Sequence, residues 1–193
     1  MIDVVSFDPG TRNFGCSHVR VRVVRGRVSY QVVQNGLFRS TVTSLNQDLI
    51  SKSARFDSKI EPLLVRCDIL AAERFMSRGL RGTLIENITY MLGRVSRTLD
   101  LMGKPYRYIA AVTWKNAINR ELKSLDLNLK DLYRLCRAEP HQLDSVLIGI
   151  YIGSLHLGAK PFQQFTSKTA IRKLFKQIES TSREPLINRR NRL

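Results

Sequence analysis

MIDVVSFDPGTRNFGCSHVRVRVV, residues 1–24, decides the fold. Residues 2–7 (IDVVSF) form a short apolar run suited to a buried strand, and DPGTRN interrupts it with residues that favour turns. From Phe14 to Val24 the chain alternates again, setting Val19, Val21 and Val23 against Arg20 and Arg22, the period of a half-buried strand. Arg25-Gly26-Arg27 breaks the pattern, and Val28 to Val33 resumes it. Three strands joined by short connections predict an antiparallel meander at the start of the chain.

Working outward, Ser44 caps a predicted helix carrying Leu45, Leu49, Phe56 and Ile60, which Pro62 is expected to end or kink. Cys67 to Ala72 reads as another buried strand, and it ends at Glu73. Thr83 to Glu86 has the capping-box pattern, with Glu86 as the N3 acid. Leu84, Ile88, Met91, Leu92, Val95 and Leu99 then recur at helical spacing as far as Gly103. Tyr106 to Val112 follows as a strand, and Trp114–Leu122 and Asn128–Arg137 as shorter helices. Pro140 fits the first turn of a long helix closed by Gly158, and Ser167 to Ile178 forms the last helix. Strands and helices in this order predict an α/β fold, a mixed sheet with helices on both faces.

The chain has 193 residues, 32 of them basic and 16 acidic, a formal charge of +16. So large an imbalance predicts a polyanionic partner, nucleic acid above all. At 43% hydrophobic residues the composition is that of a packed domain rather than a charged tail. Residues 74–107 carry an excess of 5 positive charges and residues 168–193 an excess of 6. Cys16, Cys67 and Cys136 are widely spaced and form no C-x-x-C pair, which favours a reducing compartment. No secretory signal or apolar stretch of about 20 residues is present, so the expectation is an intracellular, cytoplasmic protein without membrane attachment.

Asp8 falls at the end of the first strand, Glu73 at the end of the fourth, and Asp144 near the start of the late helix, three residues after His141. Strand ends and helix N-termini are where α/β folds gather ligand-binding groups, and residues at i and i+3 share a helix face. Three carboxylates brought together repel one another unless a cation intervenes. Hard oxygen donors select Mg²⁺ or Mn²⁺, and two such ions about 3.5–4 Å apart support in-line displacement at a phosphodiester. On a basic protein that chemistry is a nuclease's. Taken singly, Asp8 could serve a turn, Glu73 a salt bridge, and His141 and Asp144 the helix's first turn; the argument rests on their convergence.

VVSFDPGTRNFG, ILAAERFMSRG, AAVTWKNAI and EPHQLDSVLIGIYIG, in this order, resemble the RuvC family of Holliday-junction resolvases, within the RNase H-like superfamily. The resemblance covers about residues 1–157. It implies an RNase H-like sheet, three antiparallel strands and then parallel ones. It also implies a nuclease domain at 1–160, followed by a basic helical extension at 161–193 that has no counterpart in the family. Asp8, Glu73, His141 and Asp144 fall on the family's catalytic and metal-ligating positions, with two Mg²⁺ ions expected and Mn²⁺ able to substitute. His141 occupies a position that is Asp or His in the family and shifts the expected preference toward Mn²⁺. Lys115 falls where the family places a cation near the cleaved backbone. Arg74, Arg78 and Arg81 are expected to grip phosphates, and Phe75 falls one residue from an aromatic used against DNA at the crossover.

The implied activity is symmetric paired nicking of a four-way DNA junction by a homodimer, and the resemblance is compatible with a phage, viral or organellar origin. The apolar face of the Thr83–Met102 helix is a candidate dimer surface as well as a candidate core face. Two other readings remain open: an RNase H-like nuclease acting on RNA/DNA hybrids, flaps or other branched DNA, and a non-enzymatic basic nucleic-acid-binding protein. A phosphate-binding turn of an actin-like ATPase would require two lobes, and the chain is too short for them.

Overall fold

The computed structural model describes residues 1–10, 13–39, 58, 60–74 and 82–182. Five strands form one sheet: β1 Ile2–Pro9, β2 Asn13–Val24, β3 Arg27–Arg39, β4 Ile69–Glu73 and β5 Tyr106–Ile109. Their order is β3-β2-β1-β4-β5. β1 pairs with β2 and β2 with β3 antiparallel, whereas β4 runs parallel to both β1 and β5. The expected meander and mixed sheet are therefore present.

β3 runs longer than its valine pattern suggested, because pairing with β2 continues through the polar Gln34-Asn35 to Asn13↔Arg39. A register shift at His18/Val19 absorbs the change in periodicity. β5 is shorter than expected. Helical backbone begins at Ala111, where the sequence suggested strand up to Val112.

Helix α1 covers residues 60–66 and contains Pro62. Proline removes only its own bond to residue 58 and leaves the next turn free to continue, so Pro62 does not end the helix. The Ser44 cap and the start of that predicted helix lie outside the described residues. The remaining helices are α2 Gly82–Leu101, α3 Ala111–Lys123, α4 Leu129–Leu135, α5 Pro140–His156 and α6 Lys168–Thr181. Pro140 occupies the first turn of α5 as expected, and Asn128 and Asp131 cap α4 reciprocally. The proposed capping role of Glu86 falls among side chains outside the description.

Each sheet face has its own core. On one, Val4, Val19, Val21, Ile69 and Ala71 meet α3, α5 and α6, burying Trp114, Leu147, Phe162 and Leu174. On the other, Val5, Phe7, Leu70 and Ala72 meet α1 and α2. Burying each large apolar side chain contributes about 1.5–3 kcal/mol, so these two layers carry the fold. Ile88, Leu92, Val95 and Leu99 of α2 are buried in the second core. The described part of the face considered for dimerisation thus packs in the core. α6 shares the first core through Ile171, Leu174, Phe175 and Ile178.

α5 is apolar around most of its circumference and buried almost throughout, so it forms the centre of the first layer. A Cβ on Gly149 would come within 2.6 Å of Ser6 Oγ and 3.0 Å of Val19 Cγ2. Glycine there lets the helix lie close against β1 and β2, which fixes the height of its N-terminus over the sheet. Beneath that end, Ser6 Oγ contacts Ser17 Oγ at 2.8 Å and donates to the Ser145 carbonyl at 2.7 Å, tying both strands to α5. Among the described residues, no helix is long and apolar enough to cross a membrane.

Candidate active site

Parallel pairing of β1 and β4 sets Phe7 beside Ala72, one residue before Asp8 and Glu73. Strand alternation turns those two carboxylates toward α5. Asp144, in the first turns of α5, meets them from above, and Lys115 enters from the start of α3. Five of the residues singled out in the sequence therefore occupy one site: Asp8, Glu73, Lys115, His141 and Asp144.

The contacts fall into two linked groups. His141 Nδ1 lies 2.6 Å from Asp8 Oδ2. Lys115 Nζ lies 3.2 Å from Asp144 Oδ2 and 3.9 Å from Glu73 Oε2, placing one ammonium between two carboxylates. Trp114 Nε1 donates to Glu73 Oε2 at 3.0 Å, and Tyr133 Oη donates to Asp144 Oδ1 at 2.7 Å. The Lys115 ammonium also sits 4.9 Å from the centre of the Trp114 ring, a cation–π contact.

Gly15 makes the arrangement possible. A Cβ there would stand 2.0 Å from the His141 carbonyl oxygen, so any side chain would push the start of α5 off the sheet.

Burial and mutual repulsion set the electrostatics. Loss of solvent pushes Asp144 up to about 6, helped by the Asp8 charge and opposed by Lys115 and Tyr133. Glu73 is raised for the same two reasons, burial first and Asp8 second, with Lys115 and Trp114 opposing. Burial alone would lower Lys115, but Asp144 and Glu73 outweigh it and hold the ammonium charged. The bond to Asp8 raises His141 above its ordinary value, against the effect of burial. Burial, and then the Asp144 charge, push the Tyr133 phenol upward, so it remains a donor.

Among the described residues, no group of three or more His, Cys, Asp or Glu side chains is gathered as ligands of a common ion. Lys115, His141, Trp114 and Tyr133 hold the three carboxylates instead. The donor chemistry nevertheless fits a hard divalent cation. Asp8, Glu73 and Asp144 are close enough for Asp8 to raise the other two, and a cation already bridges two of them.

Trp114 and Tyr133 carried no signal of their own in the sequence. Trp114 adjoins Lys115 in TWKNAI and could have been suspected from that neighbour. Tyr133 reaches the site only because α4 packs against α3, which brings its hydroxyl to Asp144, and no local pattern records that. Arg74 is exposed at the end of β4, with its backbone N–H donating to the Ile109 carbonyl at 2.7 Å. Phe75, Arg78 and Arg81 lie outside the described residues. The three cysteines are buried and form no disulfide, and burial pushes the Cys67 thiol up to about 11.

The sheet order, the mixed pairing and the helices on both faces define an α/β protein of RNase H-like type. Within that class the fold is RuvC-like. A structure of Thermus thermophilus RuvC in complex with a Holliday junction substrate is similar, with a TM-score of 0.61 and 19% identity, over 83% of this chain and 100% of that one. A second structure of RuvC from the same organism gives 0.59 and 17%, with the same coverage. A fowlpox virus resolvase bound to Holliday junction DNA is more loosely similar, with a TM-score of 0.43 and 11% identity over 81% of this chain and 99% of that one. No protein-family model matches the sequence, and no curated protein matches it.

Proposed function

We propose that this protein is a structure-selective DNA endonuclease that resolves four-way junctions by paired, symmetric nicks, acting as a homodimer. The observation that carries this reading is the convergence of Asp8, Glu73 and Asp144 from β1, β4 and α5 in a RuvC-like fold. The charge of +16 supplies affinity for the phosphate backbone. The Holliday junction present in one of the similar RuvC structures is the source of the proposed substrate.

Asp8, Glu73 and Asp144 would hold divalent metal, Mg²⁺ by preference with Mn²⁺ able to substitute, and His141 would complete the donor set. When bound, the metal supplies the charge that activates a water and stabilises the departing oxygen. The rest falls to the chain's own groups. His141 fixes the orientation of the Asp8 carboxylate through Nδ1. Trp114 ties down Oε2 of Glu73 and Tyr133 ties down Oδ1 of Asp144, while the second Asp144 oxygen is held by Lys115. Lys115, already charged and partly exposed, turns from the carboxylates to the scissile phosphate as the backbone enters. Arg74, with Arg78 and Arg81 after it, grips phosphates beside the cut, and Phe75 would stack at the crossover.

Substituting the acids tests this directly. Asp8→Asn should retain junction binding and lose nicking by about 10²–10⁴-fold, the equivalent of several kcal/mol of transition-state stabilisation. Undiminished cleavage would remove Asp8 from the chemistry. Specific cutting of RNA/DNA hybrids, with junctions left intact, would favour the RNase H-like alternative.

A further inference from the structure

The outward face of α6 carries Lys168, Arg172, Lys173 and Lys176, all exposed. Lys168, Arg172 and Lys176 follow one another at i, i+4 and i+8, so they form a single stripe. Like charges at this spacing repel along the helix, and Lys168 also stands at the helix's positive end. None of the four is in an ion pair among the described residues. The helix's lone acid, Glu179, accepts instead from the Arg137 backbone N–H at 3.3 Å. A surface shaped for solubility alone would interleave charges of both signs.

The helix is docked firmly. Its apolar side is buried in the core, Gln177 Oε1 accepts from the Val32 N–H of edge strand β3 at 2.9 Å, and Asn35 Nδ2 donates to Ser182 Oγ at 3.3 Å. Because that apolar side is occupied, α6 cannot insert into a lipid surface. Asn35 pairs with Ser17, and Ser17 with Ser6, two residues before Asp8. The C-terminal end of α6 therefore stands two strands from the strand that carries Asp8, about 10 Å across the sheet. Its stripe leads away from there for about 12 Å. At one phosphate per about 3.4 Å of axis along each DNA strand, that length faces three to four successive phosphates.

We propose that this face of α6 is a second contact for duplex DNA, which holds an arm of the junction as it leaves the catalytic site. The contact is to backbone and indifferent to sequence. It rests on the reading of the protein as a junction nuclease, and it adds a requirement that the site alone does not make: arms long enough to reach α6.

The test is equilibrium binding of the full chain, with metal chelated, to junctions with arms of about 4 bp closed by hairpin loops, too short to span the stripe, to junctions with arms of about 25 bp, to a linear duplex and to a single-stranded RNA, over a series of salt concentrations. Replacing Lys168, Arg172, Lys173 and Lys176 together by Gln should weaken binding to the long-armed junction and the linear duplex about tenfold or more. The slope of log affinity against log salt should flatten by about 3, and short-armed binding should stay unchanged. If the fourfold variant melts early, Arg172→Gln with Lys176→Gln should show about half the change in slope. Unaltered affinity and slope on long arms would overturn the proposal, as would an equal loss on short arms or tighter binding of single-stranded RNA than of duplex. A wild type that never nicks junctions, paired with a variant that still loses duplex affinity, would refute the nuclease reading and leave the α6 surface standing.

Discussion

Lys115 does at the scale of one side chain what a divalent ion would do for the whole site, neutralising carboxylates that repel each other. Asp144 is 5% exposed and pushed up to about 6, and the direction of that shift sets a stability test. A carboxyl raised in the folded state stabilises the protein at low pH, and that contribution is lost as pH rises through its folded value. Metal-free protein should lose of order 3 kcal/mol from this group as pH climbs from about 4 to about 7. Asp144→Asn should remove that dependence and melt higher than wild type at pH 8 in chelator, with the gain gone at pH 4. Parallel melts at the two pH values check it, and equal stability at pH 8 would contradict the electrostatic account.

Tyr133 offers a second test at this scale. Its bond favours the ionised form of Asp144, so Tyr133→Phe should raise that carboxyl further. The acid limb of the pH–rate profile for nicking should move to higher pH, with near-normal rates well above it. A uniform fall at every pH would indicate a structural role only. The asymmetry between these residues explains what could be read in advance. Asp8, Glu73, His141 and Asp144 stand at strand ends and a helix start, places that periodicity locates. Tyr133 owes its position to packing between two helices, and its own segment shows only a short amphipathic turn.

At the scale of elements, the seating of α5 on β1 and β2 controls the site. Gly15→Ala should lift the helix start, separate His141 from Asp8 and abolish nicking, while the core away from it stays folded. Gly149→Ala forces a methyl group toward Ser6 Oγ and Val19 and should cost about 1–3 kcal/mol, measurable by urea unfolding. Wild-type stability in that variant would mean the helix has room to spare. The same interface shows where the sequence runs short. The α5 span, its proline start and its apolar content were plain, because each is a local property. The extension of β3 past its valines was hidden, because Asn35 is buried by pairing and packing rather than by its own polarity. So was the fate of the α2 apolar stripe, since a hydrophobic face reads alike whether it meets its own sheet or a second subunit.

At the scale of the molecule, two layers on one sheet leave the carboxylates near one end, with a basic face on α6 and Arg74 exposed at the end of β4. Charge of this size makes association strongly dependent on salt, and added Mg²⁺ should stabilise wild type more than Asp144→Asn in thermal melts at pH 8, since the ion binds the folded site. The measurement that bears most directly on the central claim is nick mapping on a labelled four-way junction, with linear duplex, flap and hybrid alongside, in the presence and absence of Mg²⁺. The account predicts paired nicks at symmetric positions on the junction, dependent on Mg²⁺ and lost in Asp8→Asn. Junctions left whole in Mg²⁺ and Mn²⁺ by a protein that binds them tightly would contradict it.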